Sequence, residues 1–363
     1  MAKLQIDPIS NWFNVKHQPL LIAGPCSAES EIQMVTTAQE LAKTGYVTAL
    51  RAGIWKPRTR PGAFEGIGEV GLSWLIKARE ATGLPVGTEV ANAKHVELCL
   101  KAGLDYLWMG ARTTVSPFSV QEIADALKGV DIPIIIKNPV NPDLALWIGA
   151  FERMNAVGIK RIAAIHRGFT TYEKSSFRNA PMWEIALELK RQFPDLPIIC
   201  DPSHICGNRE LIPFISQKAM DMNLDGLIIE THITPDTALS DAQQQITPRV
   251  LKDIIDSLVV RTENTNSTES QNKLSLLRTE INKIDEDLIQ KLSLRMKISE
   301  KIGHLKKADN VTVYQRTRWD ELFKDRIKLG EALGMSEEFM AKLLMSIHEE
   351  SIRIQEDIMQ GKK

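Results

Sequence analysis

Leu20-Leu21-Ile22-Ala23-Gly24-Pro25-Cys26-Ser27-Ala28-Glu29 is a short apolar run that ends in a loop of chemically capable side chains. A helical pattern, Glu31–Thr44, follows it. An uninterrupted apolar run bounded by Gly and Pro reads as a parallel strand buried on both faces. The same unit recurs along the next stretch of chain. Further strands are read at Val47–Leu50, Val86–Glu89, Tyr106–Met109, Ile134–Lys137, Arg161–Ile165, Ile198–Asp201 and Gly226–Glu230. Helical patterns lie between most of them, such as Trp74–Thr82 and Met182–Gln192. Eight βα units in about 250 residues predict an α/β fold, a (β/α)8 TIM barrel. The alternative is a doubly wound open sheet, but no GxGxxG follows the first strand to support it.

Beyond the barrel the composition changes. The chain has 363 residues, and all 17 Pro lie at or before Pro248. Of the 21 Gly, only Gly303, Gly330, Gly334 and Gly361 follow Gln271. Two architectures are therefore expected: a barrel over residues 1–260 and a helical domain over 272–363. The polar stretch 261–271 reads as a linker. After it, Leu274, Leu277, Ile281, Ile284, Leu288 and Leu292 recur at three- and four-residue steps, and Ile298, Ile302 and Leu305 continue the stripe. A helix of about 30 residues, roughly 45 Å long, needs a partner along its whole seam. Two more helices are expected near Val313–Leu333 and Ser336–Met359. Three helices of such unequal length cover one another poorly, so a homodimer through this domain is expected.

Forty-five Lys and Arg against 46 Asp and Glu leave a formal charge of −1, which argues against a nucleic-acid coat. No apolar stretch is long enough to span a membrane. The N-terminus lacks a signal peptide's apolar region, and four Cys in so long a chain form no disulfide framework. A cytoplasmic location is expected. Only about 19 residues precede the first strand, so a separate N-terminal regulatory domain is not expected.

Barrel enzymes gather their chemistry at the C-terminal ends of strands. Here those ends carry two sets. Arg51, Lys56, Arg58, Arg112, Lys137 and Arg167 converge as cations on one mouth, more than a neutral substrate requires. They suit phosphorylated, carboxylated substrates. Cys26, His204, Glu230 and Asp241 offer the mixed donors of a divalent transition-metal site.

The segments GPCSAES (24–30), RAGIWKPRT (51–59), GAR (110–112), HRGF (166–169), DPSH (201–204), ETH (230–232) and LSDAQQQ (239–245) resemble the type I 3-deoxy-D-arabino-heptulosonate 7-phosphate (DAHP) synthases. The form is the short one, similar to 3-deoxy-octulosonate 8-phosphate synthase. The resemblance implies condensation of phosphoenolpyruvate with erythrose 4-phosphate. It implies one divalent metal ion of the Mn, Fe, Co or Zn class on Cys26, His204, Glu230 and Asp241. It implies phosphoenolpyruvate on Arg51, Lys56, Arg112, Lys137 and Arg167 with Glu89 nearby, and the sugar phosphate on Arg58 and Thr59. Lys56-Pro57-Arg58-Thr59 favours erythrose 4-phosphate over arabinose 5-phosphate. Two positions depart from the pattern: Asn138-Pro139 follows Lys137 where relatives have Arg-Gly, and His166 precedes Arg167.

The segments 274–307, VYQRTR (313–318) and HEESIRIQ (348–355) resemble the all-helical chorismate mutases. By spacing, Arg295 and Lys306 point within about 20° of each other, while Arg278 points roughly 100° away. The resemblance implies that Arg295 and the partner subunit's Arg278 bind the carboxylates of chorismate. Lys306 and Gln355 would serve the ether oxygen, with Arg318 and Ser351 completing the pocket. Relatives usually carry Asp at the position of Gln315 and Glu at that of Trp319. The expectation is a bifunctional shikimate-pathway enzyme. Prephenate, or a later aromatic product, would bind the helical site and restrict the barrel mouth. The rivals are a monofunctional synthase with a helical sensor and an octulosonate synthase with a dimerisation module.

Overall fold

The computed structural model describes residues 4–13, 18–56, 62, 64–172, 176–261 and 267–362. Arg58 and Thr59, assigned above to the sugar phosphate, lie outside the described residues. Two compact units are present, residues 1–263 and 264–363.

The first unit is a closed barrel of eight parallel strands in sequence order. They are β1 (Leu20–Gly24), β2 (Ala49–Arg51), β3 (Val86–Val90), β4 (Tyr106–Met109), β5 (Ile134–Lys137), β6 (Ile162–His166), β7 (Ile198–Cys200) and β8 (Gly226–Glu230). Pairing of β1 with β8, from Leu20 opposite Gly226 to Gly24 opposite Glu230, closes the barrel. The open-sheet alternative is thereby excluded.

Strand side chains alternate with period two. Leu20, Ile22, Ala49, Tyr106, Trp108, Ile135, Ala163, Ile165, Ile199 and Ile228 fill the interior as one cluster. Leu21, Ala23, Leu50, Leu107, Ile134, Ile136 and their equivalents face the surrounding helices. Trp12 and Phe13 join the interior cluster, and the Phe13 ring lies 5.5 Å from that of Tyr106. Tyr106 opens β4, so the segment before β1 plugs the N-terminal end. Functional groups are left the opposite end. Gly24 makes one close approach possible: its φ is +149°, and a Cβ there would sit 2.0 Å from the Arg51 carbonyl oxygen.

Two strands shift from their expected positions; the sixth, read as Arg161–Ile165, runs Ile162–His166. The second was read as Val47–Leu50, but the ladder runs Ala49–Arg51. Its tie is β3, with Leu50 opposite Val86 and Arg51 opposite Gly87. Arg51 is thus a strand residue on the inward face shared with Ala49, not a loop residue.

The second unit is three helices, Thr268–Ala308, Arg316–Ala332 and Glu337–Met359. The first has 41 residues and begins inside the stretch read as linker, because the Ser267 hydroxyl accepts from the Ser270 amide and caps it. Its buried positions, Ser299 and Gly303, lie toward its C-terminal end. Leu277, Ile281, Ile284 and Leu288 on its N-terminal half are each more than half exposed. Among the described residues, no helix is long and apolar enough to cross a membrane.

Candidate functional site

The inward parity that packs the barrel also aims its chemistry. Ala49 points inward, so Arg51 does; Ile135 carries Lys137; Ile165 carries Arg167; Ile199 carries Asp201; Ile228 carries Glu230. On β3, Gly87 lies against the Tyr106 ring, and Glu89 follows two residues on. Six charged side chains from six consecutive or neighbouring strands thus meet above the Trp108 layer. Burying them is tolerable only because they pair.

The pairing is dense. Arg51 Nη1 lies 3.2 Å from Glu230 Oε1, and both side chains are almost wholly buried. Arg51 Nη2 donates to the Cys26 carbonyl at 3.1 Å, and its guanidinium sits 5.1 Å over the Trp108 ring. Trp108 Nε1 donates to Glu89 Oε2 at 2.9 Å. Asp201 lies 3.4 Å from Lys137 Nζ and 2.8 Å from His204 Nδ1.

Cys26, Glu230 and Asp241 bring their donor atoms within 4.8 Å of one another. Cys26 Sγ is 3.3 Å from Asp241 Oδ2 and 2.9 Å from Lys56 Nζ. His204 stands at the edge of this group, its Nε2 3.9 Å from Glu230 Oε1. With Nδ1 turned to Asp201, that ring turns Nε2 toward the cluster, as carboxylate-backed metal-binding imidazoles do. Thiolate, imidazole and two carboxylates are a donor set that fits a first-row divalent ion.

The electrostatics agree with the geometry. Burial, then Glu230, push the Cys26 thiol up to about 12, although Lys56 opposes them. Burial would raise Glu230, but His204, Arg51 and Lys56 outweigh it and hold the carboxyl below its ordinary value. Burial would likewise raise Asp201, but His204 and Lys137 hold it well below the carboxylate range. Burial pulls the Arg167 guanidinium down to about 10 against Asp201, helped by Arg178 and Arg112.

Above this floor lies a cavity of about 370 Å³, lined by Lys56, Glu89, Arg112, Lys137, Arg167 and Arg178 among others, with His204 and Asp241 on the side of the Cys26–Glu230–Asp241 cluster. Among the described residues five cations face two carboxylates, so the space suits a small anion. Arg51 does not line it. That arginine is almost wholly buried beside Glu230 and the Cys26 carbonyl, and its Nε and Nη1 have no hydrogen-bond partner.

Several participants were not singled out from sequence. Arg178 donates to Asp241 Oδ1 at 3.0 Å and to Gln244 Oε1 at 2.7 Å. Gln244 Nε2 donates to Glu230 Oε2 at 2.6 Å, and the Cys26 amide donates to Gln245 Oε1 at 2.9 Å. The glutamine run of LSDAQQQ was the available signal. Asn138, one of the two departures, is fully buried. Its Oδ1 accepts from the Arg167 amide at 2.7 Å and its Nδ2 donates to the Gly168 carbonyl, tying the loop after β5 to the loop after β6. His166, the other departure, points outward toward Phe169 and Trp183; burial and then Arg167 pull it down to about 3. It takes no part in the cavity.

In the helical unit the Arg295 guanidinium donates to the Ser351 hydroxyl. Ser351 and Gln355 are buried one turn apart on the last helix, and a Cβ at Gly303 would lie 3.2 Å from Gln355 Cγ. Lys306 Nζ donates to the Val313 carbonyl at 2.6 Å. Arg278, Gln315 and Arg318 are exposed, and Arg318 faces Glu321 at 4.0 Å. Arg278 sits about 25 Å along the helix from Arg295, too far to serve the same pocket within one chain.

Comparison with known proteins matches both units. The model of the DAHP synthetase I family matches residues 6–267, and that of chorismate mutase type II matches residues 277–356. A phospho-2-dehydro-3-deoxyheptonate aldolase of Thermotoga maritima is 30% identical over 238 residues, covering 66% of this chain and 68% of that protein. A 2-dehydro-3-deoxyphosphooctonate aldolase of Acidithiobacillus ferrooxidans is 29% identical over 246 residues, covering 62% of this chain and 83% of that protein. The crystal structure of the Thermotoga maritima phospho-2-dehydro-3-deoxyheptonate aldolase (DAHP synthase) superposes with a TM-score of 0.59 at 30% identity, over 65% of this chain and 67% of that one. The eight-stranded barrel with its inward-facing charged ring and the Arg295–Ser351 helical unit are thus matched separately, and the chain belongs to the DAHP synthetase I family, with a chorismate mutase type II domain following the barrel in the same polypeptide.

Proposed function

We propose that the chain is bifunctional. Its barrel condenses phosphoenolpyruvate with erythrose 4-phosphate to DAHP and phosphate, and its helical unit rearranges chorismate to prephenate. The observation that carries the first activity is the cation-lined cavity standing directly on the Cys26–Glu230–Asp241 cluster.

Arg51, Lys56, Arg112, Lys137 and Arg167 hold the phosphate and carboxylate of phosphoenolpyruvate, so that two anionic substrates are brought together without mutual repulsion. Glu89 stands beside them, and Arg58 and Thr59 take the sugar phosphate. Cys26, His204, Glu230 and Asp241 hold one divalent ion of the Mn, Fe, Co or Zn class, which supplies Lewis acidity toward the aldehyde oxygen. A bond forms between C3 of phosphoenolpyruvate and the aldehyde carbon. Water then adds at C2, and the C2–O bond to phosphate breaks. Lys56, 2.9 Å from Cys26 Sγ, favours the thiolate that ligation requires.

Assaying both activities with and without chelator tests this reading. Chelation should abolish the condensation and leave the mutase intact, since a pericyclic rearrangement needs only preorganised cations. Condensation that survives exhaustive metal removal would overturn the metal assignment. Absence of prephenate formation would favour the sensor reading, and a preference for arabinose 5-phosphate the octulosonate reading.

We further infer a homodimer through the exposed apolar half of the helix Thr268–Ala308, which supplies the partner subunit's Arg278 to each mutase pocket. Prephenate or a later aromatic product bound there inhibits the condensation. Truncation after Arg261 should relieve that inhibition and lower the oligomeric state in sedimentation; unchanged inhibition refutes the route. The four cysteines are free and buried, which supports a reducing cytoplasm.

A further inference from the structure

His348, Ser351 and Gln355 stand at i, i+3 and i+7 on the helix Glu337–Met359 and so share one stripe. Arg295 on the long helix reaches this stripe through its bond to the Ser351 hydroxyl. Arg295 and Lys306 both act electrostatically on His348. The middle helix, Arg316–Ala332, supplies a wall: the Trp319 ring stacks on the His348 imidazole with centroids 3.7 Å and planes 14° apart. Tyr314, in the connection before that helix, places its ring 6.0 Å from the same imidazole.

Within this frame two polar atoms are buried without a hydrogen-bond partner, His348 Nε2 and Gln355 Oε1. Leaving a buried imidazole nitrogen unpaired is costly, and a pocket that does so is completed by something from outside. Trp319 stands where mutase relatives usually carry Glu, and an indole offers no acceptor. What it does offer is a flat face that fixes His348 against the two cations.

We propose that His348 is an additional ligand-binding residue of the helical pocket: its Nε2–H donates to the bound cyclohexadiene dicarboxylate, and arrival of that dianion drives the imidazole to take up a proton. This rests on the reading of the helical unit as a chorismate and prephenate site.

The direction of the linkage follows from the neighbours. In the free protein burial, then Arg295 and Lys306, hold the imidazole below its ordinary value, against Glu349. From the packed elements the titratable or charged groups bearing on it, among the described residues, are Arg295, Lys306 and Tyr314, with Glu349 on its own helix. A dianion offsets the two cations, so the bound-state value rises above the free one. Affinity is then level below the free-state value. It falls by up to about tenfold per pH unit between the free and bound values, and is level again above.

The test is calorimetric titration of the full-length protein with prephenate at about pH 6 to 8, in buffers of different ionisation enthalpy. The wild type should bind with net proton uptake. His348→Gln should still bind, about tenfold more weakly, with no uptake and a flat pH profile. Trp319→Phe, which keeps a stacking face, should keep the uptake. NMR titration of the His348 imidazole in the unsubstituted protein gives a second readout, and its midpoint should rise when prephenate is added. Identical proton uptake in wild type and His348→Gln, or an unmoved midpoint, overturns the proposal while leaving the mutase reading standing. No prephenate binding by the wild type overturns both.

Discussion

Glu230→Gln should abolish the condensation and lower the melting temperature of the barrel together. The carboxylate is fully buried, 3.2 Å from Arg51, and accepts from Gln244 at 2.6 Å. An amide in its place leaves the Arg51 guanidinium buried without its nearest counter-charge, and breaking a buried pair from one side costs about 3–5 kcal/mol. For a domain of this size that is roughly 10 °C in Tm. Turnover should fall at least about a hundredfold, because a carboxylate of the proposed metal site is lost as well. The double variant Arg51→Met/Glu230→Met separates the two effects. Apolar replacement of both partners should recover much of the stability, since the desolvation cost disappears with the charges. It should recover none of the activity. Scanning calorimetry and the condensation assay read the two outcomes; a Glu230→Gln protein with wild-type melting and turnover would sink the account of the floor.

Arg295→Ala should cost the chorismate rearrangement about 10²- to 10³-fold and leave the condensation unchanged. Its guanidinium is half-buried and fixed by the Ser351 hydroxyl, so it is preorganised before substrate arrives. Removing one such donor from a site that works by electrostatic complementarity has an effect of that size. Arg295→Lys should rescue little, because a single ammonium cannot reproduce the planar fork on a carboxylate. Stability should change by less than about 1 kcal/mol, since the arginine is not part of a packed core. Steady-state kinetics with chorismate measures the loss, and a loss below about tenfold would remove Arg295 from the mutase machinery.

The two predictions differ in what made them visible. Glu230 and Arg295 were both named from motifs, yet the stability effect at Glu230 depends on its pairing with Arg51, which no motif shows. A one-residue displacement of β2 moves Arg51 between loop and strand, and the local pattern Val47-Thr48-Ala49-Leu50 is apolar enough to be read either way. Only the ladder to β3 decides it. Arg178 was missed for a different reason. It lies in a loop with no periodicity, and its value comes from Asp241 and Gln244, more than 60 positions away in the chain.

By itself the sequence determined the barrel, the helical unit and the identity of most charged groups. Strand periodicity is local physics: once Ile135, Ile165, Ile199 and Ile228 must face the interior, Lys137, Arg167, Asp201 and Glu230 must follow them two residues later. What only the tertiary structure decided is which of those groups meet and which are screened. Arg51 is buried beside Glu230, Asn138 ties two loops, His166 faces outward, and His348 stands against Trp319. Each of these depends on a partner distant in sequence, and the energy of a buried charge or polar atom is set by that partner, not by its own neighbours along the chain.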